Sequence, residues 1–242
     1  MKNLLVASLN SISSLTGHAT ADSTSGADFS DYYQKALLAM GVENSTAAFV
    51  KALTDPSPTT RLYAAQALGE RRDTTAIGPL TAALTDESVA VRFQAARALV
   101  LLESSAGAAV LKGQLATGAN PYEAVEAAGL LADLGDWSGY RRVVEALKSN
   151  DVSLQLRAVV DLIKFPRFEN QPTEGGSISV VKTLSGFIDT TPSSTARVNS
   201  IYALARTHDK RAIASLTKAS RSNDKTVSNA ATVGLAMFET GR

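Results

Sequence analysis

Cysteine is absent from the 242 residues, there is one tryptophan, histidine occurs twice, and aromatic residues make up 6% of the chain. Without cysteine there can be no disulfide, no thiolate nucleophile, no iron–sulfur cluster and no cysteine-ligated zinc. The two histidines, His18 and His208, are too few for a histidine-rich metal site, so none is expected. Charge of one sign is missing as well. Lys plus Arg number 24 against 23 Asp plus Glu, so no overall field draws the chain to nucleic acid or to an anionic membrane. No segment approaches the ~20 apolar residues of a bilayer span. Glycine-rich phosphate loops, nucleophile elbows and zinc-protease motifs are missing too. No catalytic residue, metal or cofactor is therefore expected.

What remains is rich in Ala, Leu and Val, with 45% hydrophobic residues, a composition that suits closely packed helices better than sheets. The start, MKNLLVASLNSISSLTGHATADS, carries a Lys, an apolar stretch and an Ala-Thr-Ala that resemble a signal peptide. Asn10, Ser11, Ser13 and Ser14 break the apolar run before it reaches the ~7–15 residues of a signal's apolar core. An amphipathic first helix, with Leu5, Leu9 and Ile12 on one face, is the simpler expectation. A cytoplasmic location is the default, with secretion through the signal-like start as the alternative.

The segments RLYAAQALGE and VRFQAARALV repeat one pattern, their arginines, Arg61 and Arg92, 31 residues apart. Stepping along their last leucines gives a ladder: Leu37, Leu68, Leu99, Leu130, Leu162, Leu204 and Leu235, in steps of 31, 31, 31, 32, 42 and 31. A second column lies 15 residues before four of these, at Leu53, Leu84, Leu115 and Leu147. A third precedes it by four, at Phe49, Leu80, Leu111 and Val143. Apolar positions four apart share a helix face, so each unit holds two helices. Between them lie TDPSP, TDES, TGANP, KSND, DTTPS and RSND, runs that stop one helix and cap the next. Self-similarity at this period predicts an all-α fold, an α-solenoid (alpha-alpha superhelix) of about six to seven helical hairpins. Residues 1–45 read as a degenerate N-terminal repeat or cap with a flexible linker at 16–28. Residues 46–242 read as the repeat array, interrupted at 165–176.

The stretch AIGPLTAALTDESVAVRFQAARAL resembles the short bacterial HEAT repeat, also called the phycobilisome-lyase HEAT-like repeat. The resemblance rests on Pro79, Asp86, Val91, Arg92, Ala95, Ala96, Ala98 and Leu99. It is good from Phe49 to Leu134, fair to Phe165 and degenerate on both sides. It implies the solenoid fold and leaves function open, because the repeat serves scaffolds, regulators and a few enzymes. Di-iron HEAT-repeat hydroxylases carry His-Glu pairs that this chain lacks. HEAT-like DNA glycosylases present a basic face with aromatic residues, whereas here the balance is neutral and Trp137 reads as a packing residue.

Within the repeat, the position seven before the ladder leucine reads Arg61, Arg92, Glu123, Gln155, Arg197, Ser228, and the position thirteen before it Asp55, Asp86, Thr117, Ser149, Thr191, Ser222. Both columns read as caps and turn ties, with an anion site at Arg61 and Arg92 as the sharper alternative. The column just before the leucine is small except at Asp161, which needs a partner if buried and is a candidate functional acid. Positions five and two before the leucine are expected to face a concave surface. Tyr63, Gln66, Gln94 and Arg97 make one polar end, Val125, Ala128 and Val160 an apolar middle beside Arg157, and Asn199 and Tyr202 the other polar end. The insertion KFPRFENQPTEGGS brings Pro166, Pro172, Gly175 and Gly176, which stop either helix, and offers Phe165, Arg167 and Phe168 as loop residues for binding. The expected function is a non-catalytic scaffold or adaptor binding another protein, with no nucleic acid and no membrane as partner. The alternative implied by the resemblance is a phycobilin lyase of the E/F type. There the apolar middle would hold the bilin, Arg97 or Arg157 its propionates and Asp161 a pyrrole nitrogen.

Overall fold

A computed structural model describes residues 31–117, 120–173 and 176–239, and these form thirteen α-helices with one short pair of strands. The expected first helix at Leu5, Leu9 and Ile12, the linker at 16–28 and His18 lie outside the described residues. The chain divides into two compact units, Met1–Leu111 and Lys112–Arg242.

The first unit contains α1 (Tyr32–Ala39), α2 (Thr46–Ala52), α3 (Pro58–Arg71), α4 (Ile77–Ala83), α5 (Val89–Leu101) and the opening of α6 (Ala108–Thr117). Serine side chains cap two of these helices. Ser45 Oγ accepts from the Ala48 amide at 3.2 Å, and Ser57 Oγ accepts from that of Thr60 at 3.4 Å, with Pro58 in the first turn. Helix α2 packs on α3 and α4 on α5, while α1 and α5 both pack on α3. Leu37, Phe49, Leu68, Leu80 and Leu99 are fully buried, so the ladder and the column nineteen residues before it meet in one core.

The second unit holds α7 (Pro121–Asp133), α8 (Tyr140–Leu147), α9 (Val152–Leu162), α10 (Val180–Thr190), α11 (Ser194–Arg206), α12 (Ala212–Ala219) and α13 (Lys225–Glu239). Helices α7, α9, α11 and α13 pack in succession, with α8 against α7 and α9, α10 against α11, and α12 against α13. Leu162, Leu204 and Val143 are fully buried here. A column of small residues, unnoticed in the sequence, closes the hairpins of both units: Ala76, Gly107, Gly139 and Ala212 open first helices or the turns leading into them. A Cβ on Gly107 would lie 2.6 Å from Ala96 Cα, and one on Gly139 would lie 2.5 Å from Ala128 Cα. Glycine is required at both by close backbone approach.

The insertion is folded. Pro166–Phe168 form a 3-10 turn, and Pro172–Thr173 pair antiparallel with Gly176–Ser177. Phe165 is fully buried against the Tyr140 ring (5.4 Å), and Phe168 is 8% exposed against Trp137 (5.5 Å). Both rings are thus core rather than binding residues of an open loop, because aromatic area is too large to leave in water when neighbours can cover it. Arg167 alone of the three is exposed, its guanidinium 4.8 Å from the Phe168 ring. Glu169 clamps the end of the insertion. Its carboxylate accepts from Ser179 Oγ (3.0 Å) and the Val180 amide (3.1 Å) at the start of α10, and pairs with Arg211 (3.0 Å).

Candidate partner-binding face

The letters shared between repeats are consumed in the turns. Asp55, Asp86, Ser149, Thr191 and Ser222 each accept a hydrogen bond from the amide two residues on, at 2.8–3.3 Å. Six residues after each of the first four, Arg61, Arg92, Gln155 and Arg197 donate back to the turn carbonyls of Asp55, Asp86, Ser149 and Thr191, at 2.7–2.9 Å. One column thus shapes the turn and the other satisfies its free carbonyl. Glu123 has no donor to offer in this column. Neighbouring repeats are also stitched: Arg61 to Asp86 (2.7 and 2.9 Å), Tyr122 to Asp151 (2.5 Å) and Ser194 to Asp224 (2.5 Å).

This geometry corrects the anion-site alternative. Arg61 holds Asp86 through two nitrogens and reaches Glu87 at 3.1 Å, and the guanidinium keeps the Asp86 carboxyl below the usual carboxylate range. Arg92 is spent on the Asp86 and Glu87 carbonyls, at 2.7 and 3.1 Å. Arg61 therefore presents no free fork to an anion, and Arg92 has one of its nitrogens tied to the turn.

The variable columns divide by depth. Val125 is 2% exposed, Ala128 is fully buried and Gln66 is 7% exposed, so the expected apolar middle belongs to the core at Val125 and Ala128. Their helix, α7, is covered by α8 and α9, and only half-buried Val160 keeps part of its surface. Tyr63, Gln94, Arg97, Arg157 and Asn199 are half-buried. Tyr202 is 39% and Val233 53% exposed, and they stand in one column on α11 and α13, which pack together. Asn199 beside them turns back to the Thr195 carbonyl (2.9 Å).

Asp161 is buried at 1% exposure and has partners, so it is neither capped at a helix end nor offered to a ligand. Its carboxylate meets Arg157 Nε at 2.6 Å and Lys164 Nζ at 3.3 Å. Arg157 also faces Glu126 at 3.6 Å, and Lys164 faces Asp133 at 2.8 Å. Burial works against both cationic charges, but the surrounding carboxylates outweigh it, and both pKa values rise. Gly129 makes the room: a Cβ there would fall 2.2 Å from Asp161 Oδ1.

In the first unit the same columns hold something sequence reasoning passed over. Tyr63, Gln66 and Glu70 share a face of α3 at helical spacing, and Gln94 and Arg97 share one of α5. The two helices approach closely between these groups, since a Cβ on Gly69 would be 2.9 Å from Ala98 Cα. Gln66 Oε1, Glu70 Oε2 and Gln94 Oε1 are buried and accept no hydrogen bond. Burial pushes the Glu70 carboxyl up to about 7, against the pull of Arg97 and with the help of Asp31. No sequence motif signals this, because Glu70 reads as an ordinary polar residue near a helix end.

An acid whose pKa is higher folded than unfolded contributes its full stability below its unfolded value of about 4.3 and loses it as pH rises through its folded value. Glu70→Gln, neutral throughout, is expected to match the unchanged chain near pH ~4 and exceed it near pH ~8 by roughly 1–2 kcal/mol after solvent screening. Urea denaturation at both pH values measures the gap. A gap that does not widen with pH would contradict the burial of this carboxyl.

Among the described residues no helix is long and apolar enough to cross a membrane, and no group of three or more His, Asp or Glu is placed to hold a metal. Residues 46–132 match the HEAT repeats family. No curated protein matches the chain. An engineered protein of known structure is 21% identical, with a TM-score of 0.52 over 81% of this chain and 97% of its own. A second engineered protein is 20% identical, with a TM-score of 0.52 over 95% and 67%. The complex of CpcE and CpcF of phycocyanin lyase from Nostoc sp. PCC7120 is 18% identical, with a TM-score of 0.46 over 94% and 91%. At such identities the likeness to the engineered proteins is one of fold. Residues 46–132 thus carry HEAT repeats, and the described helices have the fold of an all-α solenoid.

Proposed function

We propose that the protein is a non-catalytic scaffold that binds another polypeptide through the variable face of its second helices. One observation carries this reading. Letters that recur between repeats are used up in turns and core, while the large hydrophobic side chains left exposed on α11 and α13, Tyr202 and Val233, fall in one variable column. An aromatic anchor with an apolar neighbour is the kind of surface on which partner binding energy concentrates. Asn199 and half-buried Val160 flank it.

A photo-crosslinking amino acid placed at Tyr202 is expected to trap a discrete partner in native lysate. The same group at Ile213, 39% exposed on first helix α12, is expected to trap none. Val233→Glu should abolish the Tyr202 adduct. Adducts of equal yield from both positions, or one indifferent to Val233→Glu, would overturn the reading. The bilin-lyase alternative has less to stand on, because Val125 is core and Asp161 and Arg157 are bound to each other.

A further inference from the structure

We propose that the α3 and α5 face of the first unit is a receptor for the guanidinium of a partner's arginine side chain, held by Gln66, Glu70 and Gln94 and flanked by Tyr63. This rests on the scaffold reading and names the chemistry of a contact it would use.

Gln66 is 7% exposed, and its Oε1, with Glu70 Oε2 and Gln94 Oε1, accepts nothing. Buried oxygens left this way cost about 1–3 kcal/mol each, and a ligand that supplies donors recovers that cost. The complement to several acceptors, one of them a carboxylate, is a cation rich in N–H groups. A guanidinium brings five donors in a plane, enough to span acceptors on two helices, whereas an ammonium gathers its three at one point.

The aromatic wall makes the same choice. The Tyr33 and Tyr63 rings lie 5.6 Å apart between centroids, and Tyr32 and Tyr63 lie 6.4 Å apart. Planar guanidinium stacks on such faces. Tyr33 and Tyr63 are half-buried and Tyr32 is 49% exposed, so the aromatic cluster reaches the surface and the entering group displaces its rim. The charged groups acting on Glu70 are Arg97 from α5 and Asp31 before α1, and Arg97 and Glu70 both act on Tyr33 of α1. A cation bound beside Glu70 favours its ionised form, so affinity rises with pH across neutrality.

The test uses acetyl-arginine-amide as probe, with acetyl-lysine-amide and neutral acetyl-citrulline-amide beside it. Binding is read from the side-chain amide NMR signals of Gln66 and Gln94 in the full chain. The arginine probe is expected to shift both signals saturably. The lysine probe should bind several-fold more weakly, and citrulline should not saturate. Glu70→Gln should weaken arginine binding about tenfold, the loss of one charge-assisted hydrogen bond, while remaining folded by the urea measurement above. Absence of a saturable shift, equal shifts with citrulline, or unchanged affinity in Glu70→Gln would each overturn the proposal. Because no partner enters the experiment, its failure leaves the Tyr202 crosslink untouched, and failure of the crosslink leaves this result standing.

Discussion

Asp161→Ala is expected to destabilise the second unit by about 3 kcal/mol, the low end of what breaking a buried ion pair costs. The low end applies because Arg157 retains Glu126 and Lys164 retains Asp133 after the carboxylate is gone. For a unit of this size the loss is a fall of roughly 10 °C in its melting transition, read by calorimetry. The mechanism has a signature of its own. Replacing both partners, as Arg157→Met with Asp161→Leu, should cost less than Asp161→Ala alone, since neither member of the closest pair is then left inside without the other. If the double replacement costs as much as the sum of the two singles, Asp161 is not held by this pairing.

The second large effect is steric. Gly139→Ala would place a Cβ 2.4 Å from Ala128 Cβ and 2.5 Å from Ala128 Cα. The obstacle is partly the backbone of α7, so no rotamer relieves it, and overpacking of this kind costs about 2–3 kcal/mol. Gly186, in the interior of exposed α10 surface, has nothing within 4 Å of such an atom. Gly186→Ala is therefore expected to stabilise the same unit by about 0.5–1 kcal/mol through helix propensity alone. Denaturant midpoints of the two variants should move in opposite directions. Two shifts of the same sign would show that propensity, not contact, governs both positions.

The architecture was legible because a 31-residue step writes its periodicity many times over, and each copy confirms the others. The turn chemistry was legible for the same reason: Asp, Ser and Thr recur where a cap is needed, and Arg61 recurs at Arg92. Depth was harder to read. Val125 and Tyr202 stand near each other in the repeat, yet one is core and the other surface, because exposure depends on how neighbouring helices cover a position and not on its letter. Phe165 and Phe168 misled for a related reason. Proline and glycine mark where a helix stops, but they do not say whether the residues between them fold back onto the core. Glu70 was invisible, since nothing local to it announces that Gln66, Gln94 and Arg97 will be its surroundings.

The stitches between turns have one consequence for the molecule in acid. Arg61, Tyr122 and Ser194 all donate to aspartates, Asp86, Asp151 and Asp224, and these bonds are the first cause holding each of the three carboxyls below the ordinary value. Carboxyls depressed in this way stabilise the fold above their unfolded pKa of about 3.9 and surrender that contribution as pH falls through their folded values. Because each unit relies on the same kind of residue to join one repeat to the next, acidification does not pick out a weak repeat. It loosens the seams first and leaves the leucine interior, which carries no titrating group at those positions, as the last part to let go.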